Sequence, residues 1–214
     1  MPKVLPVAIR PRERILAAAR DLFNRHGVRG VGVEQIAEAA GTNKMTLYRH
    51  FASKDDLILA YVRDIAADGD AIWVEFAAAH PGDPMGQLQA WLVLAAECAA
   101  GENQGCELAH AAVALTESDH PARRLIEKLK AYHRGRLAAL CRAAGIGEAE
   151  VLADTLTLLM EGARVSRLTT GGKSSRAGFL HTAKIVIQSF RCGSATKSRS
   201  RIKATTAPRR RKAA

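Results

Sequence analysis

The chain of 214 residues is poor in aromatic side chains, which make up 5% of it. It also lacks the alternating apolar and polar runs that mark half-buried strands. Ala and Leu are frequent instead, which favours helices over sheets. No stretch approaches the roughly 18 consecutive apolar residues needed to cross a bilayer. The apolar patch in MPKVLPVAIRPRER is too short and too interrupted by Pro for a secretory leader. These absences lead us to expect a cytoplasmic protein with no membrane partner. There are four cysteines, Cys98, Cys106, Cys141 and Cys192, and in that setting they are expected as reduced thiols rather than a disulfide frame.

Catalytic signatures are missing too. There is no dinucleotide loop, no nucleophile elbow and no recognisable pair of catalytic carboxylates, so no enzyme, catalytic residue or cofactor is expected. TTGGKSS is similar to a phosphate-binding loop, but that motif needs a Gly where Arg167 stands, and no strand precedes it. Cys106 and His110 lie four apart and could join Cys98 on a metal, yet structural zinc usually takes four closely spaced ligands. No metal site is expected. The pairs Arg12/Arg14 and Arg123/Arg124 read most simply as solvated helix faces.

What is present is positive charge, and it is unevenly placed. The net charge is +11, with nine Lys/Arg against four Asp/Glu in residues 1–50 and nine against none in 191–214. Residues 51–190 carry 14 against 17. A slightly acidic body with two basic ends is the electrostatic footprint of a nucleic-acid binder, with a merely charged, soluble surface as the alternative.

Nine helices are expected. The first buries Ile15, Leu16, Ala19, Leu22 and Phe23 and stops at Gly27. A short second helix turns Ile36, Ala37 and Ala40 inward and stops at Gly41. A third runs from Lys44 to about Phe51. Ser53 and Asp56 have capping-box spacing at the start of a long helix from Lys54 to about Ala79. Asp83 with Pro84 opens a fifth, to Cys98. The others cover Glu107–Leu115, the stretch from SDHP to about Gly145, Glu148 to about Leu168, and Arg176–Phe190. We therefore expect an all-α chain: residues 1–10 as a disordered N-terminus, helical regions at 11–53 and 54–190, and 191–214 as a basic disordered tail.

The second and third helices, joined by a Gly-containing turn, form a helix-turn-helix. Leu47 and Phe51, four apart, anchor the third helix, and Asn43 can cap it. Lys44, Met45, Thr46, Tyr48, Arg49 and His50 are then left facing outward. Those types suit a DNA major groove: Lys and Arg donate to phosphates or guanine edges, hydroxyls bond phosphates, and Met can lie on a thymine methyl.

GTNKMTLYRHFASKDDLI closely resembles the signature of TetR-type bacterial transcriptional regulators, and the block from Arg12 to about Leu59 shares that family's three-helix plan. The resemblance implies an all-helical homodimer, with residues 11–53 as the N-terminal DNA-binding domain and 54–190 as a larger ligand-binding and dimerisation domain. It assigns DNA contacts to Lys44, Met45, Thr46, Tyr48, Arg49 and His50, with Lys54 as a phosphate clamp. Met45 and Arg49 fall where family members differ and so help set the operator sequence. Gly32 stands where the family often has a Ser or Thr cap, and Thr42 where an apolar residue is usual.

The resemblance continues more loosely through GCELAHAAVAL, HPARRLIEKLKAYHRGRLAALCRAAG and VLADTLTLLMEGARVS. The last two helices carry broad apolar faces, Leu152, Leu156, Leu159 and Ala163 on one and Phe179, Ala183, Val186, Ile187 and Phe190 on the other. Paired across two subunits they would make a four-helix bundle, with packing inside one chain as the alternative. A cavity for an unidentified small-molecule effector is expected between residue 54 and about residue 169. Trp73, Phe76, Trp91, Cys98, His110, Tyr132 and Met160 are candidates to face it, although core packing accounts for any one of them.

Two functions fit. The first is a ligand-responsive regulator, most simply a repressor released from its double-stranded DNA operator by an effector. The second is an architectural, non-specific DNA binder driven by the basic tail.

Overall fold

The computed structural model describes residues 10–100, 106–117, 119–170 and 175–205, and within these every regular element is a helix. The helices are α1 (Pro11–Gly30), α2 (Val33–Ala39), α3 (Lys44–His50), α4 (Lys54–Ala79), α5 (Pro84–Ala100), α6 (Glu107–Ala114), α7 (Pro121–Ala143), α8 (Ala149–Thr170) and α9 (Ser175–Thr205). The expected disordered residues 1–9, the GGKS of the glycine loop at 171–174 and the tail end 206–214 lie outside the described residues.

Local chemistry sets most helix ends. Gly27 takes φ 73° inside α1 and breaks its helical geometry, a conformation that costs a Gly little. The Ala52 N–H donates to Asp56 and the Asp56 N–H to Ser53, at 3.3 and 3.0 Å, completing the reciprocal cap in front of α4. The Gly86 N–H donates to Asp83 at 3.0 Å, so Asp83 caps α5. At α7 the Ala122 N–H donates to His120 Nδ1 at 3.1 Å, giving the cap of the SDHP stretch to the histidine. α7 closes through Gly145 at φ 74°, with the Ile146 N–H returning to the Cys141 carbonyl at 3.1 Å.

The chain divides into two compact units, residues 1–75 with 101–132, and 76–100 with 133–214. In the first, α1 packs on α2, α3 and α6. One core joins Ile15, Phe23, Ile36, Leu47 and Phe51 to Leu57, Tyr61 and Val62 of α4, Leu108 of α6 and Ile126 of α7. This unit is larger than residues 11–53. The helix-turn-helix is too small to bury its own apolar faces and borrows cover from α4, α6 and α7. In the second unit α5, α8 and α9 pack pairwise, around Leu88, Leu92, Leu152, Leu156, Phe179 and Ala183.

α9 runs to Thr205, well past the expected end at Phe190. Residues 191–205 are therefore helical, where a disordered tail was expected from 191. Between Gly193 and Pro208 the sequence has no Gly or Pro, and Ala, Lys and Arg are good helix formers.

Candidate nucleic-acid interface

Four features build the helix-turn-helix. Ala37 is buried, 2% exposed, where α2 meets its neighbours. Gly41 takes φ 62° in the turn, and the Thr42 N–H closes it on the Ala37 carbonyl at 2.9 Å. Asn43 caps α3 by accepting the Thr46 N–H at 2.9 Å. Leu47 and Phe51 are fully buried and fix the face that α3 turns to the core. At α2, where no Ser or Thr cap exists, the Gly32 N–H donates to Gln35 Oε1 at 2.7 Å. A glutamine at the third helical position thus serves the helix end from inside.

The outward set is brought together as one surface. Lys44, Met45, Tyr48, Arg49 and His50 are exposed, Met45 by 70% and Tyr48 by 42%, and Thr46 is half-buried. Lys44 Nζ lies 2.5 Å from Glu34 Oε1. That hydrogen bond holds the Glu34 carboxyl below its usual range and the Lys44 ammonium above its own. Lys54, at the head of α4, is partly buried, and desolvation, with Arg29 adding to it, lowers its pKa. A face with several donors and one carboxylate offers hydrogen bonds to an anionic, acceptor-rich partner.

Sequence reasoning missed three supports of this face. The Arg12 guanidinium sits 4.9 Å over the Phe51 ring and so covers the anchor of α3 rather than only facing solvent. Arg123 Nη1 donates to the Leu115 carbonyl at 3.0 Å and satisfies the open end of α6. Arg20 donates to Asp64, Asp68 and Glu107, at 2.9, 2.6 and 2.9 Å in its shortest contacts. Asn24 also donates to Glu107, and the Tyr61 hydroxyl donates to Asn24 Oδ1 at 2.9 Å. This network ties α1 to α4 and α6. Burial and the Glu107 carboxylate push the Tyr61 phenol well above its ordinary value.

The expected effector-facing residues are shared between the two units. Trp73, His110 and Tyr132 belong to the first unit, and Phe76, Trp91, Cys98 and Met160 to the second. None of them lines the three cavities the structure describes. Cys98 is exposed and Tyr132 is 46% exposed, so neither is enclosed. No three His, Cys, Asp or Glu side chains among the described residues come together as metal ligands.

Part of the expected dimer face is covered within the single chain. Leu152, Leu156 and Ala183 have no exposed surface in the single chain, and Phe179 and Ile187 have 5% and 7%. They form the core between α5, α8 and α9 and are not free to meet a partner. α8 is apolar on a second side, where Leu158 is 69% and Val165 61% exposed. Leu159 and Ala163 are half-buried beside them, as are Val186 and Phe190 on α9. Leu158, Leu159, Gly162, Ala163 and Phe179 line a groove of about 530 Å³ on this face.

Comparison with known proteins agrees with this geometry. Residues 15–61 match the family of bacterial regulatory proteins, tetR family. Over 82 residues the chain is 33% identical to the HTH-type transcriptional regulator AcrR of Shigella flexneri, covering 38% of each protein. Over 54 residues it is 44% identical to the HTH-type transcriptional regulator RutR of Escherichia coli, covering 25% of this chain and 26% of that one. The chain thus matches between about a quarter and two-fifths of the length of these relatives. The likeness in structure runs further. A TetR-family transcriptional regulator from Streptomyces coelicolor superposes with a TM-score of 0.78 at 25% identity, over 84% of this chain and 95% of that one. One from Agrobacterium tumefaciens shares the fold, with a TM-score of 0.73 at 20% identity over 84% and 97%.

Proposed function

We propose that this chain, which belongs to the TetR-type bacterial transcriptional regulators, is a ligand-responsive repressor that binds a double-stranded DNA operator as a homodimer. The observation that carries the reading is α3, a helix fixed by Leu47 and Phe51 with Lys44, Met45, Tyr48, Arg49 and His50 on its open face. In this reading Tyr48, His50 and Thr46 bond phosphates. Lys44, Met45 and Arg49 meet base edges or phosphates, and Lys54 clamps the backbone at the head of α4. The protein works in the cytoplasm, on the nucleoid, and has no catalytic role.

The exposed apolar strip of α8 and α9 supports dimerisation. Two α3 helices related by a two-fold axis would enter successive major grooves about 34–36 Å apart. An effector that prefers a different spacing of the two helices would lower operator affinity by its differential affinity for the two states.

Selection of genomic fragments by the purified protein tests this. The expected result is one enriched sequence with two-fold symmetry. Binding that is equal across random fragments supports instead an architectural role driven by the nine cations of residues 191–214.

A further inference from the structure

A cavity of about 450 Å³ lies within the first unit, beside the first residue of α4 and the first residue of α7. It is not on the open face of α3. Its apolar wall is Val28, Ile58, Leu115 and Pro121. Two polar donors line it with no hydrogen-bond partner among the described residues.

The first is His120. Its side chain is nine-tenths buried, with 10% exposed. The ring Nδ1 accepts the Ala122 N–H at 3.1 Å, so Nδ1 carries no proton. In the neutral ring the proton is then on Nε2, and Nε2 is a donor. Nε2 is buried and has no hydrogen-bond partner; the nearest acid oxygen, Asp55 Oδ1, stands at 3.5 Å. A buried donor in this state calls for an acceptor.

The second donor is Lys54. Its ammonium is partly desolvated, with the Asp55 carboxylate attracting it and Arg29 repelling it through space, and it makes no direct ion pair among the described residues. The acids around the cavity do not remove the demand. Glu117 is engaged by Arg29 at 2.8 Å, Asp55 is 70% exposed at its side chain, and Asp119 is exposed.

From these features we propose that the cavity is a binding site for a small monocarboxylate with an apolar body. The carboxylate oxygens accept from His120 Nε2 and Lys54 Nζ, and the hydrocarbon part covers Ile58 and Leu115. Asp55, 3.5 Å from His120 Nε2, and Asp119 also line the cavity and repel a second negative charge, so a monoanion is selected over the phosphate dianion. The site stands whether or not the chain binds DNA. If Lys54 also clamps a phosphate, an occupied site competes with that contact.

The test is calorimetric titration of the full-length chain with butyrate, benzoate and inorganic phosphate, without DNA. Two variants accompany it. Lys54→Met removes the charge and keeps the stem. His120→Asn removes the Nε2 donor and leaves a side chain that caps a helix well. The expected result is saturable binding of a monocarboxylate, weakened about tenfold or more in each variant, as loss of a charge-assisted hydrogen bond implies, with phosphate weaker than either acid. The His120 ring proton resonances, identified by their loss in His120→Asn, should move on titration. Three results overturn the proposal: no saturable binding of either acid, equal affinity in wild type and both variants, or phosphate binding as well as the carboxylates. The first of these leaves the cavity to water.

Discussion

Arg20 of α1 holds Glu107 of α6 with two parallel hydrogen bonds, Nε to Oε1 at 3.2 Å and Nη2 to Oε2 at 2.9 Å, across 87 residues of sequence. The same guanidinium reaches Asp64 and Asp68 of α4. Arg20 side-chain exposure is 29% and Glu107 25%, so these groups are only partly in water. Arg20→Met is expected to lower unfolding free energy by about 1–3 kcal/mol, because it strands partly buried carboxylates. Adding Glu107→Gln should return part of the loss. Denaturant titration of the two single variants and the double variant measures the coupling. Strict additivity would show that the pair contributes nothing beyond its parts.

The Arg20 network marks where the sequence stops being legible. The helix-turn-helix could be read because its determinants are local: Gly41, the Asn43 cap and the Leu47/Phe51 pair lie within 11 residues. Glu107 lies 87 residues from Arg20, and only the fold selects it among 21 acids. The apolar face of α8 was ambiguous for a related reason. α8 is apolar on two sides, and periodicity cannot say which side its own chain covers. Leu152 and Leu156 went to the core, while Leu158 and Val165 stayed outside. His120 was hidden because its imidazole caps α7, a place that Ser, Thr, Asp or Asn usually fills.

Glu34 and Lys44 make a prediction about DNA. An operator phosphate or base must compete with Glu34 for the Lys44 ammonium. Glu34→Gln is therefore expected to tighten operator binding several-fold, and Lys44→Ala to weaken it about tenfold or more. In the Lys44→Ala background, Glu34→Gln should give no gain beyond that of Glu38→Gln, another exposed acid on α2. Fluorescence anisotropy with one operator duplex reads all five proteins. An equal gain with and without Lys44 would mean that Glu34 acts only through net charge. Tyr48→Ala serves as the control for the groove assignment, and wild-type affinity there, with helicity intact, sinks it.

Leu158 and Leu159 predict the assembly. Both line the groove on α8, and Leu158 is 69% exposed in the single chain. Burying such side chains is worth about 1.5–3 kcal/mol each, and a buried unpaired guanidinium costs more. Leu158→Arg should convert a dimer to monomers in sedimentation velocity and lower operator affinity, since one α3 reads half a site. Leu152→Arg should unfold the second unit instead, because Leu152 has no exposed surface. A monomeric wild type at working concentration refutes the dimer.

The cysteines predict chemical reactivity. Cys98 is exposed and Cys141 buried, and burial pushes the Cys141 thiol up to about 11. The thiolate is the nucleophile, so native protein at pH 7.5 should alkylate at Cys98 and leave Cys141 intact until denaturant is added. The sign of the linked stability follows. The folded value is raised, so stability is full below the ordinary thiol value of about 8.5 and falls as pH rises from there towards 11. Cys141→Ser should flatten that part of the pH profile. Equal alkylation of both cysteines in the native state would contradict the burial.

The C-terminal end predicts a salt dependence. Residues 191–214 hold nine Lys/Arg and no acid, and α9 carries the chain through Thr205. Cations without acids neutralise phosphates but carry no base-reading pattern of their own, and each phosphate neutralised adds about 0.9 to the slope of log affinity against log salt. Deleting residues 194–214 removes eight of the nine charges. Full-length and truncated protein should then differ in slope and in affinity for random DNA, while both select the same operator. The measurement is operator and random-duplex affinity over a salt series. Equal slopes and equal random-DNA affinity would make the segment a passive extension. A change in the selected sequence would show that it reads DNA itself, so the division of labour between α3 and the C-terminal cations would fail.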